Sequence, residues 1–342
     1  MAEPGPVLVL RALGLGDALT GVPALRGLRR LHPQRPLLLA APAGIGEWFT
    51  GLGLVDGFVP TSGLDDAPPG RDLGQHDAVN LHGRGPQSHA LLLAGHPRSL
   101  LAFAPPEDSD DGPDRGAGLT TVGSIGDPGD RVPQWRADEH EVLRWCRLVS
   151  WAGGPCGPED LRLDAPPRAS AERTEPRTHR RQVGPYVVLH PGAASGSRRW
   201  PVDRWSEVAR ALRRDHDVLL TGGPDERELC GRVATSAGLP ACSVTAGALD
   251  LPRLTDLVAH AALLVCGDTG VAHVATATGT PSVLLFGPVS PRLWGPAVDR
   301  HLHASLWHGD GSGDPHGDDP DPALLRVTPT EVLVAARALL GA

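Results

Sequence analysis

The chain has 342 residues, a formal net charge of -8, 40% hydrophobic residues and 21% charged residues. That length and apolar content suffice for two domains with real cores, and the acidic balance argues against general nucleic-acid affinity. None of the 32 basic residues is lysine, which excludes a lysine nucleophile, a Schiff base and the lysine of a P-loop.

The five cysteines, Cys146, Cys156, Cys230, Cys242 and Cys266, are odd in number and form no C-x-x-C pair. They are expected to be reduced thiols of a cytoplasmic protein. The opening MAEPGPVLVLR lacks the basic region and long apolar run of a leader peptide. No apolar stretch approaches membrane-spanning length; peripheral contact with a membrane is left open.

In chain order, strand-like runs occupy 7–10, 36–41, 78–81, 186–190, 217–223, 262–268 and 281–287. Helical patterns lie between the later runs. Residues 201–215 put Trp205, Val208, Ala209 and Leu212 on one face, and 225–238 end on a glycine suited to a left-handed cap. Short buried strands alternating with helices predict parallel βαβ units, hence an α/β fold. Residues 104–133, rich in Pro, Gly and Asp, read as a long loop, and 164–185 as a linker. A domain boundary is therefore expected near residue 180. At the end, Thr328, Pro329 and Glu331 fit an N-cap, a first-turn proline and a capping-box acid for a final helix over 328–340.

Residues 7–33 read as a buried strand, a glycine turn and an amphipathic helix. The turn invites a dinucleotide-binding reading, which needs G-x-G-x-x-G and an acid about 20 residues later. Gly14 and Gly16 fit, but position 19 is leucine and the next strand ends without an acid. What remains is Asp17 at the carboxyl end of a strand, where a parallel sheet meets its ligands. It is either a general base or an acid that supports the helix. Pro23 suggests a regular helix beginning near Thr20, with Asp17 in a loop ahead of it.

Two later segments carry more. VVLHPGAASGSRRWPVDRW is a strand ending at His190, a small-residue loop with Gly192, Ala193, Ser195, Ser197, Arg198 and Arg199, and then a helix. Such a loop beside a helix N-terminus suits a phosphate; its bland alternative is an ordinary connection with solvent-facing arginines. In LLVCGDTGVAHVATATG a strand leads through Asp268 to Thr269 and Gly270 at a helix start, with His273 one turn on. N–H groups at that end point outward at an anion. Residues 301–322 gather His301, His303, His308 and His316 near acids, but the spacing fits no zinc pattern. A flexible surface loop is expected there, and no metal site.

Together these segments resemble glycosyltransferase family 9, the heptosyltransferase-like enzymes. The likeness lies in VLVLRALGLGDALTGVPALRGLRRLHP, VVLHPGAASGSRRWPVDRWSEVA, LLTGGPDERE and CGDTGVAHVATATGTPSVLLFGP. The resemblance implies the GT-B architecture: a Rossmann-like acceptor domain over 1–180, a Rossmann-like nucleotide-sugar domain over 181–327, a central cleft, and a terminal helix, 328–342, packing back toward the first domain. It implies inverting, metal-independent sugar transfer from a nucleotide diphosphate donor, without a separate cofactor. The best-known donor of the family is ADP-heptose. Asp17 matches the family's proposed base. His190, Gly192, Ala193, Ser195, Arg198, Asp268, Thr269, Gly270 and His273 fall on its donor side, as do Asp225 and Glu226, between which the residues do not choose. The family's best-known acceptor is the lipopolysaccharide core; for this chain a cell-wall glycan, a secondary metabolite or another small molecule stays open beside it. Two alternatives stay open: a nucleotide-sugar 2-epimerase-like GT-B enzyme, and a non-catalytic nucleotide-sugar-binding protein.

Overall fold

A computed structural model describes residues 5–104, 132–164 and 185–341. The chain divides into two units, Met1–Leu161 and Arg162–Ala342. Most of the loop expected over 104–133 and of the linker over 164–185 lies outside the described residues, as does the boundary expected near 180. Arg162 already belongs with the second unit, because its guanidinium grips both carboxylate oxygens of Asp299 at 2.9 and 2.8 Å.

The first unit runs β1 (Val7–Leu10), α1 (Leu15–Thr20), α2 (Val22–Leu31), β2 (Leu37–Ala41), α3 (Ala43–Gly51), β3 (Gly57–Pro60), β4 (Asp77–Asn80), α4 (Gln87–Leu93), β5 (Ser99–Leu101) and α5 (Glu141–Trp151). The strands form one sheet in the order β3-β2-β1-β4-β5, every neighbouring pair parallel. A sheet covered on both faces needs strands that are apolar throughout, and all four residues of β1 are buried. Leu10 pairs with Ala40 on one side and Asn80 on the other. The order reverses between β1 and β4, so a crevice opens beyond their carboxyl ends.

Asp17 is not in a loop ahead of the helix. It lies in the first turn of the six-residue α1, and Pro23 opens the separate helix α2. A proline is well tolerated in a first turn, where its missing N–H has no intrahelical partner. The break at Gly21 thus reconciles Pro23 with a helical Asp17.

The second unit runs β6 (Tyr186–His190), α6 (Val202–Leu212), β7 (Asp217–Leu220), α7 (Arg227–Ala237), α8 (Leu251–Ala259), β8 (Leu263–Gly267), α9 (Gly270–Thr278), β9 (Ser282–Leu285), α10 (Pro291–Trp294), β10 (His303–Leu306), α11 (Pro322–Arg326) and α12 (Pro329–Leu340). Its parallel sheet has the order β10-β9-β8-β6-β7, with the reversal between β6 and β8. Gly238 caps α7 in the left-handed conformation at φ 69°, and Thr328 with Glu331 forms the expected capping box. The buried face of α12, Val332 and Ala336, lies in the core of this unit.

Three strands carried no legible signal: β3, β5 and β10. The strand β10 falls inside the histidine-rich stretch read as a flexible loop. Among the described residues it is a short edge strand paired only with β9, and such a strand lacks the continuous apolar run that marks a central one.

Gly27 on α2 sits where a Cβ would lie 2.7 Å from the Gly154 carbonyl oxygen and 2.9 Å from Cys156 Sγ. Gly27→Ala therefore trades a helix-propensity gain of about 1 kcal/mol against an overpacking cost of about 1–3 kcal/mol. Because the obstructing atom is backbone, the urea midpoint is expected to fall; an unchanged or raised midpoint contradicts this packing.

Burial pushes the His303 and His82 imidazoles down from 6.5 to about 4. In the unfolded chain they take up protons near 6.5, so the unfolded state binds protons first as pH falls. Their contribution to stability is complete above pH 6.5 and is lost between 6.5 and about 4. Urea titrations across that range are expected to show the loss, and His303→Asn should flatten it; an equal slope in the variant refutes the assignment.

Candidate functional site

In the first unit the crevice at the strand reversal is built around one charge. Arg11 follows directly on β1, and its side chain is only 3% exposed. Its Nε donates to the Asp17 carbonyl and one terminal nitrogen to the Leu81 carbonyl at the end of β4. The other donates to Thr20 Oγ1 at 2.8 Å and Glu141 Oε1 at 3.1 Å. The guanidinium carbon also lies 4.9 Å from the centre of the Trp145 ring. Glu141 accepts from Trp145 Nε1 at 2.7 Å and from Arg144. Asp17 itself is half-buried on the turn that this cluster holds.

Across the reversal, Asn80 shapes the loop after β4. Its amide oxygen accepts from the His82 backbone N–H at 2.9 Å, and its nitrogen donates to Ser88 Oγ at 2.9 Å and the Gly83 carbonyl at 3.2 Å. Burial and the neighbouring positive charge of Arg11 keep the His82 ring neutral near pH 7.

In the second unit the loops after β6, β7 and β8 converge. His190 ends β6, with its Nδ1 3.0 Å from Thr221 Oγ1 and its Nε2 3.9 Å from Glu226 Oε2. Burial lowers its pKa, and the Glu226 carboxylate works in the opposite sense. Glu226 Oε2 accepts from the Gly223 N–H at 2.8 Å. Its carboxylate lies so close to Gly192 that a Cβ there would overlap it. Asp225 is exposed on the same turn. Of the two acids in G-G-P-D-E, the fold therefore brings Glu226, not Asp225, against the His190–Gly192 loop.

Arg198 ties that loop to the next. Its Nε donates to Ser195 Oγ at 3.1 Å; one terminal nitrogen lies 3.4 Å from the Asp268 carbonyl oxygen and 3.9 Å from its carboxylate. Arg199 donates to the Ala193 carbonyl at 2.9 Å. Thr269 caps α9, its hydroxyl accepting from the Val271 N–H at 3.2 Å. Gly270 is the first residue of that helix, and His273, 6% exposed, packs edge-on against Trp294. The cap holds the Val271 N–H and the Thr269 carbonyl accepts from the Ala272 N–H at 3.0 Å, so Gly270 stands at the positive end of the helix dipole.

The stretch after β10 is not a free loop. Ser195 Oγ donates to the Pro315 carbonyl at 2.7 Å, the Ser197 N–H to the Gly317 carbonyl at 2.8 Å, and the Asp321 N–H to the Ser197 carbonyl at 3.1 Å. Asp318 packs so tightly on Gly196 that no side chain fits there. The histidines of residues 301–322 diverge: His303 meets Ser282 at 2.8 Å and His308 meets Glu331 at 2.8 Å. Among the described residues, no three His, Cys, Asp or Glu side chains come together as a metal site. Among the same residues, no helix is long and apolar enough to cross a membrane.

Sequence reading missed Arg11, Thr20 and Glu141. The available signal was an arginine set directly after a wholly apolar strand.

The two-unit fold resembles solved structures along nearly its whole length. Against the ADP-heptose lipopolysaccharide heptosyltransferase II of Escherichia coli the TM-score is 0.68 at 20% identity, covering 98% of each chain. Against a family 9 glycosyl transferase of Veillonella parvula it is 0.70 at 18% identity, covering 98% of this chain and 97% of that one. These likenesses establish the fold, GT-B. Among curated proteins, lipopolysaccharide heptosyltransferase 3 of Escherichia coli is 32% identical over 176 residues, 50% of this chain and 51% of that protein. Lipooligosaccharide heptosyltransferase 2 of Haemophilus influenzae is 29% identical over 167 residues, 46% and 48%. The chain thus spans about half the length of the curated relatives it matches. The model of glycosyltransferase family 9 (heptosyltransferase) matches residues 130–312, more than half of the chain. The chain belongs to that family.

Proposed function

We propose that this protein transfers a sugar, a heptose carried on ADP, from the nucleotide diphosphate to an acceptor hydroxyl in one inverting displacement. The observation that carries the reading is the knot at the strand reversal of the second unit. There Arg198 joins the Gly192–Ser195 loop to Asp268, beside the capped N-terminus of α9. A fixed cation, small-residue backbone and a helix N-terminus are what a diphosphate needs.

In this reading the acceptor oxygen attacks the anomeric carbon while the bond to the diphosphate breaks. The Asp17 carboxylate takes the acceptor proton, and the diphosphate leaves with the bonding electron pair. Negative charge grows on the leaving group, and Arg198 with the positive end of the α9 dipole stabilises it, so the reading needs no metal ion. Glu226, seated by Gly223 and His190, lies against Gly192 and is the candidate contact to the donor's sugar or ribose hydroxyls. The names of similar proteins, an ADP-heptose lipopolysaccharide heptosyltransferase II and a lipopolysaccharide heptosyltransferase 3, support that donor; the acceptor is read only as a glycan or small-molecule hydroxyl. A cytoplasmic location accords with a nucleotide-sugar donor and reduced thiols.

The test is nucleotide release from ADP-, GDP-, UDP- and dTDP-sugars, with and without a panel of glycan acceptors, for wild type and Asp17→Asn. The expected result is acceptor-stimulated ADP release that falls at least about 100-fold in the variant, with ADP affinity by calorimetry unchanged. Full turnover in Asp17→Asn refutes the base assignment. Tight ADP-sugar binding with no transfer to any acceptor supports a binding protein instead.

A further inference from the structure

The turn that carries Asp17 cannot hold its own shape. The helix α1 has six residues, and an isolated helix that short is not stable in water. Its internal bonding is also incomplete around Asp17. The Gly21 N–H, which could close the helix onto the Asp17 carbonyl, instead donates to the Ala18 carbonyl at 3.1 Å. The Asp17 carbonyl accepts from two side chains: Arg11 Nε, and Thr20 Oγ1 at 2.8 Å.

Arg11 reaches that carbonyl through a gap that only glycine leaves. A Cβ on Gly21 would lie 2.9 Å from Arg11 Cδ and 3.0 Å from Nε. The guanidinium then fans out to four acceptors on three parts of the unit: the Asp17 carbonyl and Thr20 hydroxyl of α1, the Leu81 carbonyl and the Glu141 carboxylate. Burying such a charge is costly unless every partner is in place. Moving any one of these partners therefore disturbs the others.

We propose that Arg11, braced by Glu141 and shared with Thr20, is the positioning group of the reaction, fixing the Asp17 carboxylate by pinning the backbone of its turn. This rests on the reading of Asp17 as the base. Arg11 touches no reacting atom. It sets where the carboxylate stands, by linking the turn to β1, to the end of β4 and to the start of α5. Displacement of a catalytic group by about 1 Å can cost about 100-fold in rate, so a partial loosening should be read in kcat.

The mildest test removes the Thr20 hydroxyl, which both donates to the Asp17 carbonyl and accepts from Arg11. Full-length wild type, Thr20→Val, Thr20→Ser, Arg11→Lys and Asp17→Asn are compared in ADP release from ADP-heptose, with the best acceptor of the panel and with water alone. Thr20→Val is expected to lose about tenfold in kcat with donor KM and ADP affinity unchanged, and Thr20→Ser to recover most of it. Hydrogen–deuterium exchange adds a readout that needs no substrate. The amides of residues 14–21 should exchange faster in Thr20→Val while those of β1 keep their protection. A purely structural role would lower the melting temperature and leave the kcat of the folded protein untouched. Wild-type kcat and unchanged exchange in both Thr20→Val and a folded Arg11→Lys overturn the proposal. If Asp17→Asn is inactive in that case, the base reading survives alone; if Asp17→Asn is active, the base reading fails first.

Discussion

Parallel strands constrain everything else in this molecule. In a parallel sheet all strands point the same way, so every loop that follows a strand emerges at one edge. Where the strand order reverses, the connections leave to opposite sides and the edge opens. Both units have one such reversal, between β1 and β4 and between β6 and β8. Apart from Glu141 at the start of α5, every residue argued to matter chemically lies just beyond those two pairs of strands or the β7 strand beside them. The glycines and small side chains follow from this crowding: Gly192 gives way to Glu226, Gly21 to Arg11 and Gly196 to Asp318.

The two openings are built with opposite electrostatic logic. In the first, the cation is buried. Arg11 is spent on backbone carbonyls and on Glu141, so its charge organises the turn rather than meeting a ligand. It also helps keep His82 neutral. In the second, the Arg198 side chain is 23% exposed and stands 3.9 Å from the Asp268 carboxylate, held in place but not neutralised by a close ion pair. A half-exposed acid beside a buried brace suits proton transfer. A partly open cation beside a helix N-terminus suits an anion.

How much of this was legible in the sequence depended on how local each signal was. The segment CGDTGVAHVATATG was readable because strand, cap and helix follow one another, and Thr269 indeed caps α9. The final helix was readable for the same reason, with Thr328 and Glu331 three residues apart. Asp17 was readable as a residue but not as part of a helix, because α1 is shorter than any periodicity can reveal and is held from outside. Arg11 was invisible in its role: Leu81 and Glu141, its partners, lie 70 and 130 residues away. That Glu226 rather than Asp225 lies against Gly192 was likewise not legible, because it is a contact between loops on different strands. The segment after β10 looked unstructured because its order comes from hydrogen bonds to Ser195 and Ser197 rather than from apolar patterning.

The central claim is a single displacement with one carboxylate as base, and its most direct reporter is the anomeric configuration of the transferred sugar. It can be read from the one-bond carbon–proton coupling at the anomeric position of donor and product. A product of opposite configuration to the donor is what the account predicts, because one attack from the face opposite the diphosphate inverts the centre. A product that keeps the donor's configuration contradicts it, since retention needs a second displacement that Asp17 as base does not supply.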